Sequence, residues 1–350
     1  MRIVSWNIEW MNNWFVGHER VALRERYDPR GQPHDAIADV DSLCKRVAQV
    51  IEDLAPDILC VQEGPSDLRE MELFVSTYLT DEAGQSLYRV FGGYDGRAQK
   101  IYVLVNCQGP VPDAWEPDDS LTRTLTEEWQ CDVDGDSSLE PYRFTRRPVV
   151  VDCSYEDETV RVIALHTKSK YVHGGAELWN SPTRQSEFVG EALTCRRRIS
   201  AEAMRVRRYL GAMLEENPHH AIVVAGDCND GPGADYFEEL YLTHNVTDIL
   251  LGSTYQPAFQ FEHAFMHRLP RAARYTAIFD DFVTGEHDKL LVLDHILVSP
   301  VLKSGGGTTI GLLNGGIGHQ PFERAIDEAA PSSRQQFPSD HRPVFATFGP

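Results

Sequence analysis

Short apolar runs alternate with polar stretches along the whole chain, and the spacing of their apolar positions changes from run to run. "RIVSWNIEW" (2–10) alternates with a period of two and predicts a first strand. From Val40 to Leu54 the apolar positions recur every three to four residues, which predicts an amphipathic helix. Pro56 then breaks the chain ahead of a second strand, "DILCVQE". Downstream, "ELFVSTYL" predicts a helix, "SLYRVFGG" and "KIYVLVNC" strands, and "RRPVVVDCSY" with "TVRVIALHTKSK" a paired hairpin. A long helix is expected from about Glu187 to Glu215, followed by a strand in "HHAIVVAGDCND" and a helix in "GADYFEELYL". "KLLVLDHILVS" predicts one strand, "KSGGGTTIGLLNGGIGHQ" a glycine-rich loop, and "SDHRPVFATF" a closing strand.

Strands and helices alternate without a compositional break, so the 350 residues are expected to form one α/β domain of two sheets with outer helices. Its insertions lie near 11–35, 110–141, 255–288 and 303–336. Connections of that length serve as lids or partner-docking loops more often than as filler.

Composition narrows the picture. The hydrophobic share of 42% is that of a globular protein, and no apolar run reaches bilayer length. No signal peptide is read at the N-terminus, no membrane association is expected, and seven unpatterned cysteines without a CxxC pair fit a reducing cytoplasm. A formal net charge of −20 excludes broad electrostatic grip on a polyanion, so any phosphate contact has to be local or carried by metal.

Several apolar runs end in, or are interrupted by, polar residues. Asn7 lies in the first strand, Glu63 ends "DILCVQE", and His166 and Lys168 end "VIALHTKSK". Asp227 and Asn229 follow "IVVAG", Asp294 and His295 sit in "LLVLDHILVS", and Asp340 and His341 open the last strand. Singly, each has a structural account: a satisfied core amide or histidine, a solvated strand end, a turn. The joint inventory does not.

That ordered set, "SWNIEW", "ILCVQE", "ALHTKSK", "GDCND", "LDHILVS" and "SDHRPV", resembles the endonuclease/exonuclease/phosphatase superfamily across nearly the entire chain. The resemblance implies a DNase-I-like four-layer α/β sandwich with its site at one end of two central mixed sheets. It implies a phosphate-ester hydrolase using Mg²⁺ or Mn²⁺, with Asn7, Glu63 and Asp340 at the metal. Oxygen donors of this kind suit a hard cation. By the same resemblance Asp227 would orient or deprotonate the water, and Asn229 would meet the phosphate or a second metal. His341, its tautomer fixed by Asp294, and His166 would donate to phosphoryl oxygens, with Lys168 adding charge. Tyr94, in a Gly-Tyr-x-Gly setting, and Arg147, beside Arg146 in "TRRPVVV", are the further substrate-binding candidates. Alternation turns His295 and Cys228 away from the site.

The substrate is less determined. The Tyr-Arg extension and Trp-bearing strand of inositol polyphosphate 5-phosphatases are missing, whereas "HTKSK" resembles bacterial nucleases of the superfamily. Nucleic acid, DNA foremost, is the expected partner, with a small phosphorylated molecule such as an inositol phosphate as the alternative and an inactive binding module as a third reading. Six arginines between Arg196 and Arg208 form either a solvated helical face or a polynucleotide track. Trp14, Trp115, Trp179 and Phe282 are either bases' stacking partners or cover for the sandwich.

Overall fold

The computed structural model describes residues 1–17, 20–94, 99–232, 235–241, 245–303 and 308–350. Its strands are β1 (Arg2–Asn7), β2 (Ile58–Gly64), β3 (Tyr88–Gly92), β4 (Lys100–Asn106), β5 (Ala114–Trp115), β6 (Trp129–Cys131), β7 (Glu140–Tyr142) and β8 (Val149–Tyr155). They continue with β9 (Glu158–His166), β10 (Ala221–Asp227), β11 (Glu262–His263), β12 (Ala277–Asp281), β13 (Glu286–Leu291), β14 (Asp294–Val298), β15 (Gly311–Ile317) and β16 (Val344–Gly349). One six-stranded sheet has the order β15-β16-β1-β2-β4-β3, and the other β11-β14-β10-β9-β8-β5. Each is mixed: a parallel pair, β1 with β2 and β9 with β10, is flanked by antiparallel neighbours.

Period-two alternation turns Ile3, Ile58, Val103, Val151, Val162, Val223 and Ile296 between the sheets, where they form one dry core. The alternate positions Val4, Leu59 and Leu104 pack under α1 (Val40–Leu54) and α2 (Leu68–Tyr78). On the far side, Ile163, Val224 and Leu297 pack under α3 (Gln185–Glu216) through Ile199, Val206, Leu210 and Met213. Helix, sheet, sheet and helix make the four layers. Asp39 caps α1 by accepting from the Ser42 amide, and a full capping box of Asp67 and Glu70 starts α2.

Two sequence expectations are corrected. "KLLVLDHILVS" is not one strand: β13 belongs to a two-stranded hairpin with β12, and the chain turns at Val292–Leu293 into β14 of the main sheet. The glycine-rich stretch is largely the edge strand β15, bulged between Leu312 and Asn314. Its glycines answer to packing, since a Cβ at Gly315 would lie 2.6 Å from the Ala264 carbonyl oxygen. Parts of that stretch (304–307), of "GADYFEELYL" (233–234 and 242) and of the segment after Tyr94 (95–98) lie outside the described residues. No described helix is long and apolar enough to cross a membrane.

Candidate active site

Four central strands deliver their ends to one place. Asn7 follows Ile3 and Ser5 on the inter-sheet face of β1, and Asp227 follows Val223 and Ala225 on that of β10. His166 ends β9 directly beside Asp227, which in turn pairs with Asp294 at the start of antiparallel β14. Because β9 and β10 are parallel, their polar tips share an end of the sheet. Gly226 lets them approach: a Cβ there would lie 2.0 Å from the Leu165 carbonyl oxygen. His295 and Cys228 point to the outer layer, as alternation requires; His295 Nε2 donates to the Asp230 carbonyl at 2.7 Å.

Glu63 breaks the rule. Alternation from Leu59 and Val61 would aim it at the helices, but the β2–β4 register shifts between Val61 and Gly64 and Glu63 adopts φ 55°. The irregularity returns its carboxylate to the cleft, where Oε2 accepts from the Trp10 amide at 2.9 Å. Glu9, Trp10 and Asn229 are also left-handed, with φ of 50°, 51° and 50°. Each such residue costs on the order of 1–3 kcal/mol, and their gathering at one cleft marks it as the place where the fold gives up local stability for position.

The side chains form a connected network. Asp227 accepts from Asn7 Nδ2 at 2.9 Å through Oδ2 and from the Asn229 amide at 2.7 Å through Oδ1. Asn7 Oδ1 accepts from the Glu9 amide. His166 Nε2 lies 3.4 Å from Asp227 Oδ2 and 4.0 Å from Glu63 Oε1. His341 Nδ1 bonds Asp294 Oδ2 at 2.7 Å, leaving Nε2 3.9 Å from Asp227 Oδ2 and 4.0 Å from Asp340 Oδ1.

The two histidines are driven apart. Burial, together with the charges of Arg146 and His341, holds His166 well below the ordinary imidazole range, so it is neutral. Burial opposes the charge on His341 as well, but Asp294, Asp340 and Asp227 outweigh it and keep the ring protonated well above that range. The carboxyls of Glu63, Asp227 and Asp340 are all raised by burial, and Glu9 is pushed up to about 7 for the same reason. The protein's own cations leave this acid cluster undercompensated.

A divalent cation would supply what is missing. Glu63 and Asp340 offer hard oxygen donors in the cleft, and Glu9 stands beside them, its Oε2 accepting the Asp340 amide at 3.0 Å and lying 3.4 Å from Arg334. Asn7 has spent its Nδ2 and one lone pair of Oδ1 on protein partners, so it is as much a strut between Asp227 and Glu9 as a ligand. Asp227, Asp294 and His341 also bring one ligand atom each within 4.8 Å of one another. A protonated imidazole occupies that second cluster, which disfavours a cation there.

A cleft of about 1410 Å³ opens above these residues. Lys168 and Arg146 line it; Arg146 donates to Gln99 Oε1 and to the Thr167 carbonyl. Arg147 and Tyr94 are not brought to it: the Arg147 guanidinium stacks 4.6 Å over the Tyr94 ring instead. Both arginines precede β8, in a bend, and of the two only Arg146 reaches the cleft. Glu9, Trp10, Tyr171 and Phe279 had no motif to announce them, although Glu9 lies only two residues beyond Asn7 in "SWNIEW".

Four of the six arginines of the helix are spent on the fold. Arg196 pairs with Asp235, Arg197 and Arg205 donate to the carbonyls of Asp134 and Thr124, and Arg207 donates to those of Leu250 and Phe259. Trp14 is fully buried, Trp115 lies outside the cleft and Trp179 packs on Phe188 and Tyr236. Phe282 alone of the four aromatic candidates lines the cleft.

Two six-stranded mixed sheets under outer helices, with acids and histidines at the strand ends, define the class of DNase-I-like sandwiches. The chain belongs to the Endonuclease/Exonuclease/phosphatase family, whose match spans residues 4–341. Members of that family are hydrolases of phosphate esters. No curated protein matches the chain. Among solved structures it is similar to truncated Caenorhabditis elegans TDP2 at 16% identity and TM-score 0.52, covering 100% of this chain and 97% of that one. It is also similar to a longer C. elegans TDP2 chain at 15% identity and TM-score 0.51, covering 100% and 75%. A 3'-5' exonuclease from Neisseria meningitidis aligns at 18% identity and TM-score 0.49, covering 100% of both chains. At these identities the TDP2 likeness is one of fold.

Proposed function

We propose that the chain is a Mg²⁺- or Mn²⁺-dependent phosphodiesterase acting on DNA. The observation that carries the reading is the meeting of Glu63, Asp227 and Asp340 with two histidines at one end of the central strands: His166 Nε2 lies 3.4 Å from Asp227 Oδ2, and His341 Nε2 lies 3.9 Å from the same oxygen and 4.0 Å from Asp340 Oδ1. Bound by Glu63, Asp340 and Glu9, with Asn7 beside them, the metal would neutralise phosphoryl charge and lower the cost of the attacking hydroxide.

The chain's own groups do the rest. Asp227 accepts the proton of the water as the water oxygen bonds phosphorus; the P–O bond to the sugar oxygen breaks, and that leaving oxygen takes a proton from solvent. Asn7 and the Asn229 amide hold that carboxylate in place. The His341 imidazolium presents Nε2–H to a phosphoryl oxygen, with Asp294 fixing the ring from behind. Neutral His166 donates to a second oxygen, and Lys168 and Arg146 add positive potential. A cleft of about 1410 Å³ exceeds the ~300–1,000 Å³ usual for small-molecule sites and so supports a polymer rather than an inositol phosphate. Wild type incubated with DNA, RNA and an inositol phosphate mixture should cleave the DNA; phosphate release from the small molecules alone would move the reading to a phosphomonoesterase.

Arg334 ties the two ligand-bearing loops together. Buried, it donates to the carbonyls of Ile8 and Glu9 through one nitrogen and of Phe337 through another, and pairs with Glu9 at 3.4 Å. Arg334→Lys keeps the charge and loses the fork. It is expected to weaken Mn²⁺ binding, read by titration calorimetry, by about ten-fold or more. Unchanged affinity would remove Arg334 from the metal site.

A further inference from the structure

We infer that Arg271, Arg274 and Phe279 form a track for one unpaired DNA strand leading to the scissile phosphate. The inference rests on the nuclease reading and adds to it the strandedness of the substrate and the residues that hold it.

Three observations carry it. First, two of the lining cations are already matched by acid. Lys170 bonds Asp230, Asp235 and Glu238, and Lys289 bonds Asp281. Arg271 and Arg274 line the same cleft, and among the described residues neither has a carboxylate partner; Arg274 Nε donates only to the Leu269 carbonyl. Together with Lys168, two residues from His166, they are the cations free to meet a phosphate backbone, and no arginine of α3 lines this cleft.

Second, an exposed aromatic ring stands next to the phosphate-binding histidine. The Phe279 ring is 38% exposed and its centroid lies 6.1 Å from that of His341. Its hairpin is anchored there by a bridge between Ala277 and His341 and by the Arg342 amide donating to Thr276. Phe282, 41% exposed on the same hairpin, and Tyr171, 68% exposed, line the cleft too. Unpaired bases stack on such faces; bases inside a duplex do not offer theirs.

Third, the cleft carries acids that a second strand would meet. Asp280, Glu286 and Asp288 line it on the hairpin, with no phosphate-neutralising run beside them. A duplex would bring two rows of phosphates into this field, whereas a single strand brings one and can keep it on Arg271 and Arg274.

The test uses a fluorescent 12-mer as single strand and as blunt duplex, with wild type, the double variant Arg271→Ser/Arg274→Ser, and Phe279→Ala. Wild type should cleave the single strand at least ten-fold more efficiently in kcat/KM than the duplex. The double variant should raise KM for the single strand by about ten-fold and flatten the slope of log(1/KM) against log[salt] by about 1.4, roughly 0.7 for each lost phosphate contact. Phe279→Ala should raise KM several-fold and leave that slope unaltered. A merely structural role would leave the double variant's salt slope where it was. Equal or better duplex cleavage, or an unchanged slope in the double variant, overturns the inference while the nuclease reading stands. Turnover of bis(p-nitrophenyl) phosphate without cleavage of either DNA overturns both.

Discussion

Replacing Asp227 by Asn is expected to lower kcat for phosphodiester hydrolysis by about 10³–10⁴-fold, the upper part of the range for a general base. The carboxylate meets contributions of both sheets: it accepts from Asn7 of β1 and lies 3.4 Å from His166 and 3.9 Å from His341. An amide at this position cannot take the proton of the water. Its nitrogen would also face the Asn7 amide nitrogen, a mismatch of roughly 1–3 kcal/mol that the fold should tolerate. Steady-state kinetics with circular dichroism on the same sample check both halves. A variant that folds and retains a tenth of wild-type kcat would take the proton-accepting role from Asp227.

The largest effect on stability is expected far from the cleft. Arg161 on β9 and Asp152 on β8 are 6% and 7% exposed at the side chain and meet through two bonds of 2.7 Å. A third nitrogen of Arg161 donates to Tyr209 of α3 at 2.8 Å, so the pair joins sheet to helix. Burial opposes the arginine's charge, and the bidentate carboxylate more than restores it. Asp152→Ala would leave the buried guanidinium with Asp119, 3.0 Å away and 38% exposed, as its remaining carboxylate, at a cost of about 3 kcal/mol, the low end for breaking a buried pair. At about 1.4 °C per kcal/mol for a chain of 350 residues, Tm should fall by roughly 4 °C by differential scanning calorimetry. Asp152→Leu combined with Arg161→Met should recover most of the loss, because an apolar pair of similar volume leaves no buried charge and Asp119, 38% exposed, stays in contact with water. A single variant within 1 °C of wild type would show that the pair is not a keystone.

How far each feature could be read from the sequence follows from the range of the interaction that makes it. Asn7, His166, Asp227 and Asp294 were legible because period-two alternation along apolar strands decides which face each side chain takes, and the same rule put His295 and Cys228 on the other face. Glu63 was legible only through the family motif: alternation alone would have aimed it at the helices, and a register shift with a left-handed backbone turns it back. Arg146 and Arg147 could not be separated without knowing where the strand begins. Glu9 and Arg334 were missed because their contact joins residues 325 apart in the chain, through backbone carbonyls that no side-chain motif records. The strand β15 hid behind its glycines, which the sequence presents as loop signals and the fold uses for close packing against Ala264. The split of "KLLVLDHILVS" between a cleft-lining hairpin and a core strand depends on Thr276, whose hydroxyl accepts from the amides of Leu293 and Asp294 at the turn.

The central claim is that these strand tips hydrolyse a phosphodiester with a divalent metal. The most direct measurement is the initial rate of bis(p-nitrophenyl) phosphate hydrolysis by protein stripped with EDTA and then titrated with Mg²⁺ or Mn²⁺, with Asp227→Asn in parallel. The expected result is no turnover after stripping, saturable recovery on adding either metal, and a rate about 10³-fold or more lower in the variant at every concentration. Undiminished hydrolysis by the stripped protein, or equal recovery in the variant, would contradict it.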